Sequence, residues 1–284
     1  MVNPSASRNC DLNFMNMFSW QFLYATELAA YDEGVIIRFQ THGHLAYLPP
    51  LGYSDWGKPL QAMMDDAAAL GHPFLMLGVL EDDLERLERC MPGHFHARAE
   101  RDYADYLYER EALCTLSGKK LQGKRNHVHR FERSYPDFCL IPLDKDHFDA
   151  CLSLAQKWYD HRENELRTDS FRELQSMQNT FAHWEHLGGS GLILQVRGET
   201  VAFTYGAPIN FDTFDVCVEK ADRDYEGAYS FINRSFVTTL PKQYAWINRE
   251  EDLGIPGLRK AKLSYHPHRL LQKYRVMTRN PFAG

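Results

Sequence analysis

No stretch of this chain holds the ~18 consecutive apolar residues that a bilayer crossing needs. The amino terminus lacks a basic segment leading into an apolar one, so no secretory signal is expected. The six cysteines, Cys10, Cys90, Cys114, Cys139, Cys151 and Cys217, never fall in a C-x-x-C spacing. That argues against a zinc ribbon or a dithiol redox motif and for reduced thiols in a cytoplasmic protein. There is no Gly-x-Ser-x-Gly elbow and no Gly-x-x-x-x-Gly-Lys-Ser/Thr loop, which excludes the commonest serine hydrolases and nucleotide hydrolases. Acid is absent from Leu253 to Gly284, where Arg259, Lys260, Lys262, Arg269, Lys273, Arg275 and Arg279 stand alone.

What remains is ordinary for a globular chain. Hydrophobic residues make up 44% of the 284 positions and charged residues 25%, enough for one large or two ordinary domains. The net charge of −6 is unevenly spread. Residues 1–113 carry 8 Lys/Arg against 17 Asp/Glu, and the excess of base lies in the second half. A further basic cluster comprises Lys119, Lys120, Lys124, Arg125, Arg130 and Arg133. Such clusters suit phosphates on a nucleotide cofactor or RNA, and equally suit a solvated helix face.

Hydrophobic periodicity predicts strands at Val35–Phe39 and Leu45–Leu48, a helix at Leu60–Leu70, a strand at Phe74–Val79 and a helix at Asp82–Cys90. An extended stretch, Phe95–Tyr108, and a basic helix, Leu121–Arg133, follow. The second half reads as a strand at Phe138–Ile141, helices at Asp146–His161 and Ser170–Leu187, and a hairpin of Leu192–Val196 with Thr200–Tyr205. It continues with a strand at Thr213–Val218, a helix at Ala228–Leu240, a strand at Tyr244–Ile247 and a helix at Gly257–Tyr265. Helices do not alternate with every strand, so the order implies an α/β (α+β) arrangement with a mixed, mostly antiparallel sheet flanked by helices. The style of the first half matches that of the second, with a boundary expected between residues 133 and 134.

The densest polar signal follows Tyr244–Ile247. Asn248, Arg249, Glu250, Glu251 and Asp252 stand where a buried strand ends, a common place for a site. The other reading is a solvated turn with Asp252 near a helix start. Glu250 and Asp252 are candidate bases, or a cap and ion-pair partners of Arg249 and Arg259. Tyr265 is a candidate proton donor, or a core aromatic. Lys260 and Lys262 are candidates for holding a phosphate or carboxylate. Four histidine pairs, His42/His44, His94/His96, His127/His129 and His266/His268, have the i,i+2 spacing that shares one face of a strand. No acid or cysteine recurs with them, and no metal site is expected.

The element order resembles the Gcn5-related N-acetyltransferase fold, in which a pyrophosphate sits at the helix after the fourth strand on a Gln/Arg-x-x-Gly-x-Gly/Ala motif. The corresponding stretch here is Arg223-Asp224-Tyr225-Glu226-Gly227-Ala228, with altered spacing and an acid that would repel a pyrophosphate. The segments Ala46–Gly52, Leu116–His127, Glu226–Tyr229 and Ile247–Tyr265 together resemble an uncharacterised bacterial family related to the C-terminal domain of phosphatidylglycerol lysyltransferases. The resemblance implies two tandem acetyltransferase-like domains, 1–133 and 134–284, as in the Fem peptidyltransferases. It implies an acyl or aminoacyl transferase acting on a small-molecule or peptide amine, its donor an acyl-CoA or an aminoacyl-tRNA. The donor-binding candidates are then Arg223, Gly227, Ala228, Asn248, Arg249, Arg259, Lys260, Lys262, Lys120, Lys124 and Arg125. The alternative is a non-catalytic nucleotide- or RNA-binding module on a degenerate acetyltransferase fold.

Overall fold

The structure is a computed structural model that describes residues 7–160 and 167–279. Two short helices, α1 (Phe14–Ser19) and α2 (Gln21–Tyr24), precede β1 (Glu27–Tyr31), β2 (Gly34–Thr41) and β3 (His44–Tyr47). Helix α3 (Gly57–Ala69) crosses over to β4 (Leu75–Val79), and α4 (Glu81–Cys90) leads to the long β5 (Phe95–Glu109). Helices α5 (Arg110–Thr115) and α6 (Gln122–Ser134) and strand β6 (Phe138–Pro142) connect the halves. Then come α7 (Phe148–Asp160), α8 (Arg167–Ala182), α9 (Trp184–Leu187), β7 (Ser190–Val196), β8 (Glu199–Pro208) and β9 (Thr213–Ala221). Helix α10 (Ala228–Thr239) crosses to β10 (Trp246–Asn248), and α11 (Pro256–Leu263) leads to β11 (Arg269–Thr278). No helix among the described residues is long and apolar enough to cross a membrane.

The strands form one sheet in the order β1-β2-β3-β4-β11-β5-β10-β9-β8-β7-β6. All pairings are antiparallel except β3 with β4 and β9 with β10. Setting β6 aside, the order is unchanged when β1–β5 are exchanged for β7–β11. Each half thus contributes four strands in sequence, and its fifth strand is inserted into the other half: β11 lies beside β4, β5 beside β10, and the two pair at the centre.

The core follows the same logic. Leu45, Tyr47, Trp56, Leu60, Phe74 and Met76 fill the first half, with Val276 of β11 among them. Tyr106 and Tyr108 of β5, with Val128 and Phe131 of α6, pack instead with Phe214, Phe231 and Ile247. Phe131 stacks on Phe231 at 4.8 Å and lies 6.0 Å from Phe138, so the division expected between 133 and 134 passes through a shared cluster. On the opposite face α7 and α8 bury Cys151, Leu154, Ala155 and Met177 over Ile193, Phe203 and Tyr205. The single helix expected over Ser170–Leu187 is broken at His183, and β1, β11 and the first two helices were not expected.

The acid-free carboxyl segment is not simply a basic outer face. Lys273, on β11, is 4% exposed. Its ammonium lies 2.8 Å from Asp105 of β5, 2.9 Å from Asp11 and 4.0 Å from Glu251, with the Cys10 thiol at 3.4 Å. Burial alone would drive the ammonium towards neutrality, but Asp105 and Asp11 hold its pKa well above the ordinary value. Lys273→Met should therefore leave Asp105 as an uncompensated buried charge and destabilise the fold by about 3–5 kcal/mol in urea denaturation. A loss below ~1 kcal/mol would show that the ion pair does not hold the centre of the sheet together.

Candidate active site

Strands β9 and β10 pair over three residues only, Thr213–Asp215 against Trp246–Asn248. Beyond Asp215, β9 runs on to Ala221 with β8 beside it, while the chain leaving β10 turns towards β5. The turn is built by Asn248. Its Nδ2 donates to Asp105 at 2.8 Å and to the Arg8 carbonyl at 2.8 Å, and its Oδ1 accepts from the Glu250 amide at 2.7 Å. The Arg249 amide then donates to Tyr106 O, and Tyr106 N donates to Glu250 O. Glu250 is held at φ 54, a left-handed conformation that an L-residue keeps only when its surroundings impose it. The two strands thus part beyond Asp215 and Asn248, and side chains from β9 and from residues 249–251 meet across the divergence.

A bulge in β9 sets which side chains line each wall. Tyr205 pairs with Val218 and Gly206 with Val216, leaving Cys217 extra. Side-chain parity therefore changes along the strand: Phe214 and Val216 pack towards α10, whereas Cys217 and Val218 pack towards α7 and α8. Gly206 is required at the bulge, because a Cβ there would lie 1.8 Å from Asp215 O.

On one wall Asp215, Cys217 and Glu250 converge beneath α1. Asn13 Nδ2 donates to Asp215 Oδ2 at 2.9 Å. Asn16 Nδ2 donates to the same oxygen at 3.2 Å and to Glu250 Oε1 at 2.6 Å. Asp215 Oδ1 is buried without a hydrogen-bond partner. Burial, then the charges of Asp215 and Glu251, push the Glu250 carboxyl well above its ordinary range, against the pull of Lys262 and Asn16. Burial likewise raises Asp215 and the Cys217 thiol. One ligand atom from each of Asp215, Cys217 and Glu250 falls within a 4.8 Å group, so these residues could hold a cation. So could Cys10, Asp105 and Glu251, but there Lys273 supplies the positive charge. Neither group includes a histidine of the i,i+2 pairs.

The other wall is cationic and aromatic. Arg249 pairs with Glu219 at 2.9 Å, and Asn233 Nδ2 donates to the second Glu219 oxygen at 2.8 Å. The Arg249 guanidinium lies 4.7 Å from the Tyr265 ring, and the Lys124 ammonium 4.0 Å from the same ring. Arg249 Nη1 and Asn233 Oδ1 are buried without hydrogen-bond partners of good geometry. The Tyr265 hydroxyl meets Ser230 at 3.3 Å, and burial raises its pKa.

The remaining residues expected at the site lie elsewhere or have structural partners. Asp252, fully buried, accepts from Arg259 at 2.8 and 2.9 Å, from Arg101 at 3.0 Å, from Tyr106 at 2.5 Å and from Gly254 N at 2.9 Å. Burial would raise its carboxyl, but these bonds carry it far below the ordinary range, so it is an ion-pair centre and not a proton acceptor at neutral pH. Arg259 is shared with Asp102 at 2.6 Å. The Lys262 ammonium donates to the carbonyls of Arg249 and Glu251 and so fixes the turn. Lys260 lines an open groove outside α11, and Lys120 is exposed. Arg125 folds back on the Leu116 and Gly118 carbonyls. Arg223 is exposed and stacks 5.4 Å from the Trp158 ring.

The start of α10 is closed. Gly227 has φ 92, and a Cβ on it would come 2.4 Å from His127 O of α6. The Ala228 amide is taken by Tyr225 O, and Glu226 pairs with Arg130. The sequence reading missed Asp215, Cys217, Glu219, Asn233, Asn13 and Asn16. An aspartate flanked by apolar residues in the run Thr213–Val218 was the one available signal, since a buried acid in a strand demands a partner.

Residues 2–277 match the family model described as phosphatidylglycerol lysyltransferase, C-terminal. An uncharacterised protein of Mycoplasmoides gallisepticum is 26% identical over 176 residues, 61% of this chain and 55% of that protein; the match thus spans about half of that relative's length. A conserved protein of unknown function from Bacteroides thetaiotaomicron superimposes with TM-score 0.94 at 44% identity, covering 97% of this chain and 93% of that one. The C-terminal domain of a protein assigned as a lysylphosphatidylglycerol synthetase from Agrobacterium fabrum gives TM-score 0.68 at 14% identity, covering 95% and 90%. A tandem Gcn5-related N-acetyltransferase protein of the clavulanic acid biosynthesis pathway gives 0.51 at 10%, covering 96% and 89%. The last two show the fold: an acetyltransferase-like α/β arrangement with a large, mixed, mostly antiparallel sheet flanked by helices.

The two carboxylates expected as bases should respond oppositely to amidation. The folded pKa of Asp252 is depressed, so its stabilisation is complete above its unfolded value of about 4 and is lost as pH falls through the folded value. Asp252→Asn should cost about 3 kcal/mol at neutral pH, and the gap from wild type should close in acid. The folded pKa of Glu250 is raised, so its ionisation lowers stability as pH rises, and Glu250→Gln should be at least as stable as wild type at pH ~8. Urea denaturation across pH measures both. A harmless Asp252→Asn beside an unfolded Glu250→Gln would reverse the assignment.

Proposed function

The chain belongs to the phosphatidylglycerol lysyltransferase C-terminal family, and from that membership we propose that it moves an aminoacyl or acyl group from an activated donor to an amine acceptor at the divergence between β9 and residues 249–251. Family and fold are both of a transferase kind. The observation that carries the reading is Glu250: a carboxyl at the carboxyl end of a central strand, fixed by Asn16 and the Asn248 turn, its pKa held well above the ordinary carboxylate range by burial and by the neighbouring acids.

In this reading the acceptor nitrogen attacks the donor carbonyl and loses its proton to Glu250. The bond from carbonyl carbon to the leaving oxygen or sulfur then breaks, and the leaving group departs protonated. Tyr265, kept neutral by burial on the opposite wall, is the proposed proton donor. An aminoacyl-tRNA donor is favoured over an acyl-CoA. The helix start that would cradle a pyrophosphate in the acetyltransferase arrangement is packed against His127 O and bordered by Glu226. The acceptor is a small-molecule or peptide amine, and we place the reaction in the cytoplasm.

The donor classes separate by binding. With the favoured donor, an uncharged tRNA should bind with an affinity that falls steeply with salt. Acetyl-CoA should leave the melting temperature unmoved, whereas a CoA donor would raise it as ln(1 + [L]/Kd). No response to either would support the rival reading, a non-catalytic module with some other ligand. With the donor that binds, Glu250→Gln should slow transfer by roughly 10²–10⁴-fold. A folded and fully active Glu250→Gln protein would remove Glu250 from the chemistry.

A further inference from the structure

The cationic wall of this divergence holds more positive charge than the protein neutralises. Lys124, on the first turn of α6, makes no hydrogen bond to any described residue, and its ammonium lies 4.0 Å from the centre of the Tyr265 ring. Arg249 approaches the same ring at 4.7 Å. Among the described residues Glu219 is the one carboxylate bonded to either cation, and it is already engaged at both oxygens, by Arg249 and by Asn233. Arg249 Nη1 is buried and makes no hydrogen bond of good geometry, with Tyr265 as its neighbour. Burial first, and the Arg249 charge second, lower the Lys124 pKa to about 8. Two like charges over one ring, one donating to no described residue and the other with a buried N–H in poor geometry, form an arrangement that an oxyanion would complete.

We propose that Lys124 and Arg249 form a phosphate-binding site against the Tyr265 ring. A phosphate presents several oxygens in a tetrahedral array and can bridge an ammonium from α6 and a guanidinium from the end of β10, which a planar carboxylate bridges less well. The alternative seat, the start of α10, is closed by the contact between Gly227 and His127 O. The phosphodiester of an RNA 3′ end and the pyrophosphate of CoA share this chemistry. Assigning the phosphate to a donor rests on the transferase reading above; the site itself does not.

Inorganic pyrophosphate is the probe. Calorimetric titration at low salt should show one site per chain, and Lys124→Gln should weaken it roughly tenfold. Arg249→Lys, which keeps the charge beside Glu219 but removes the fork, should also weaken it. In the free protein the Lys124 resonance, followed by NMR of 13C-methylated lysines, should titrate near pH 8, and pyrophosphate should move that titration upwards. Equal affinity in wild type and Lys124→Gln, an unmoved Lys124 titration, or no binding would overturn the proposal. Displacement of pyrophosphate by CoA or by a short RNA ending in CCA identifies the source. If binding requires Lys124 and neither displaces it, the phosphate site stands and the donor reading above fails.

Discussion

The ammonium of Lys273 is the interaction on which the rest of this fold depends. It reaches the structure from the last strand and is buried among groups from three other places: Asp105 on β5, Asp11 on the amino-terminal strap and Glu251 just past β10. Asp105 in turn receives Cys10 N and Asn248 Nδ2, so the strap and the end of β10 are both fixed to the same carboxylate. From Asn248 follows the turn that lifts Glu250 out of the sheet. The catalytic candidate is thus positioned through a chain of charge-assisted bonds whose origin is one buried cation.

The two halves share a strand plan but not a site. Each contains a parallel pair with a crossover helix, β3 with β4 and β9 with β10. Around β3 and β4 the space is filled by Tyr47, Trp56, Phe74 and Met76, a continuous apolar cluster. Around β9 and β10 it is lined by Asp215, Glu219, Arg249 and Glu250, and three buried polar atoms there have no partner. Unpartnered polar atoms in a native interior cost free energy unless something binds them. The contrast is one of lining: charged and polar side chains gather around β9 and β10, apolar ones around β3 and β4.

Much of the fold was legible because it rests on local pattern. The hairpin of β7 and β8, the helices α3, α4, α6, α7, α10 and α11 and the end of β10 all follow from periodicity and turn residues. Strand β11 was hidden because its buried positions include Lys273, and a lysine in an apolar register reads as surface until its partners, distant in sequence, are known. Of the site, the cluster from Asn248 to Asp252 was visible as composition, but not the division of labour within it. Asp252 and Glu250 are alike in sequence; Arg259 and Arg101 make one an ion-pair centre, while burial first, and then Asp215 and Glu251, make the other a high-pKa acid. The bulge at Cys217, which turns Asp215 and Glu219 to opposite walls, left no trace in the alternation of residues.

The exchange of fifth strands has a consequence for how such a chain can change over time. A duplicated unit whose copies merely sat side by side could lose the silent copy once the other took over the chemistry. Here β5 of the first half closes the edge of β10, and β11 of the second half closes the edge of β4. Deleting either copy would strip a hydrogen-bonding neighbour from the centre of the other. Each half therefore persists as architecture for the other, whatever its own residues do.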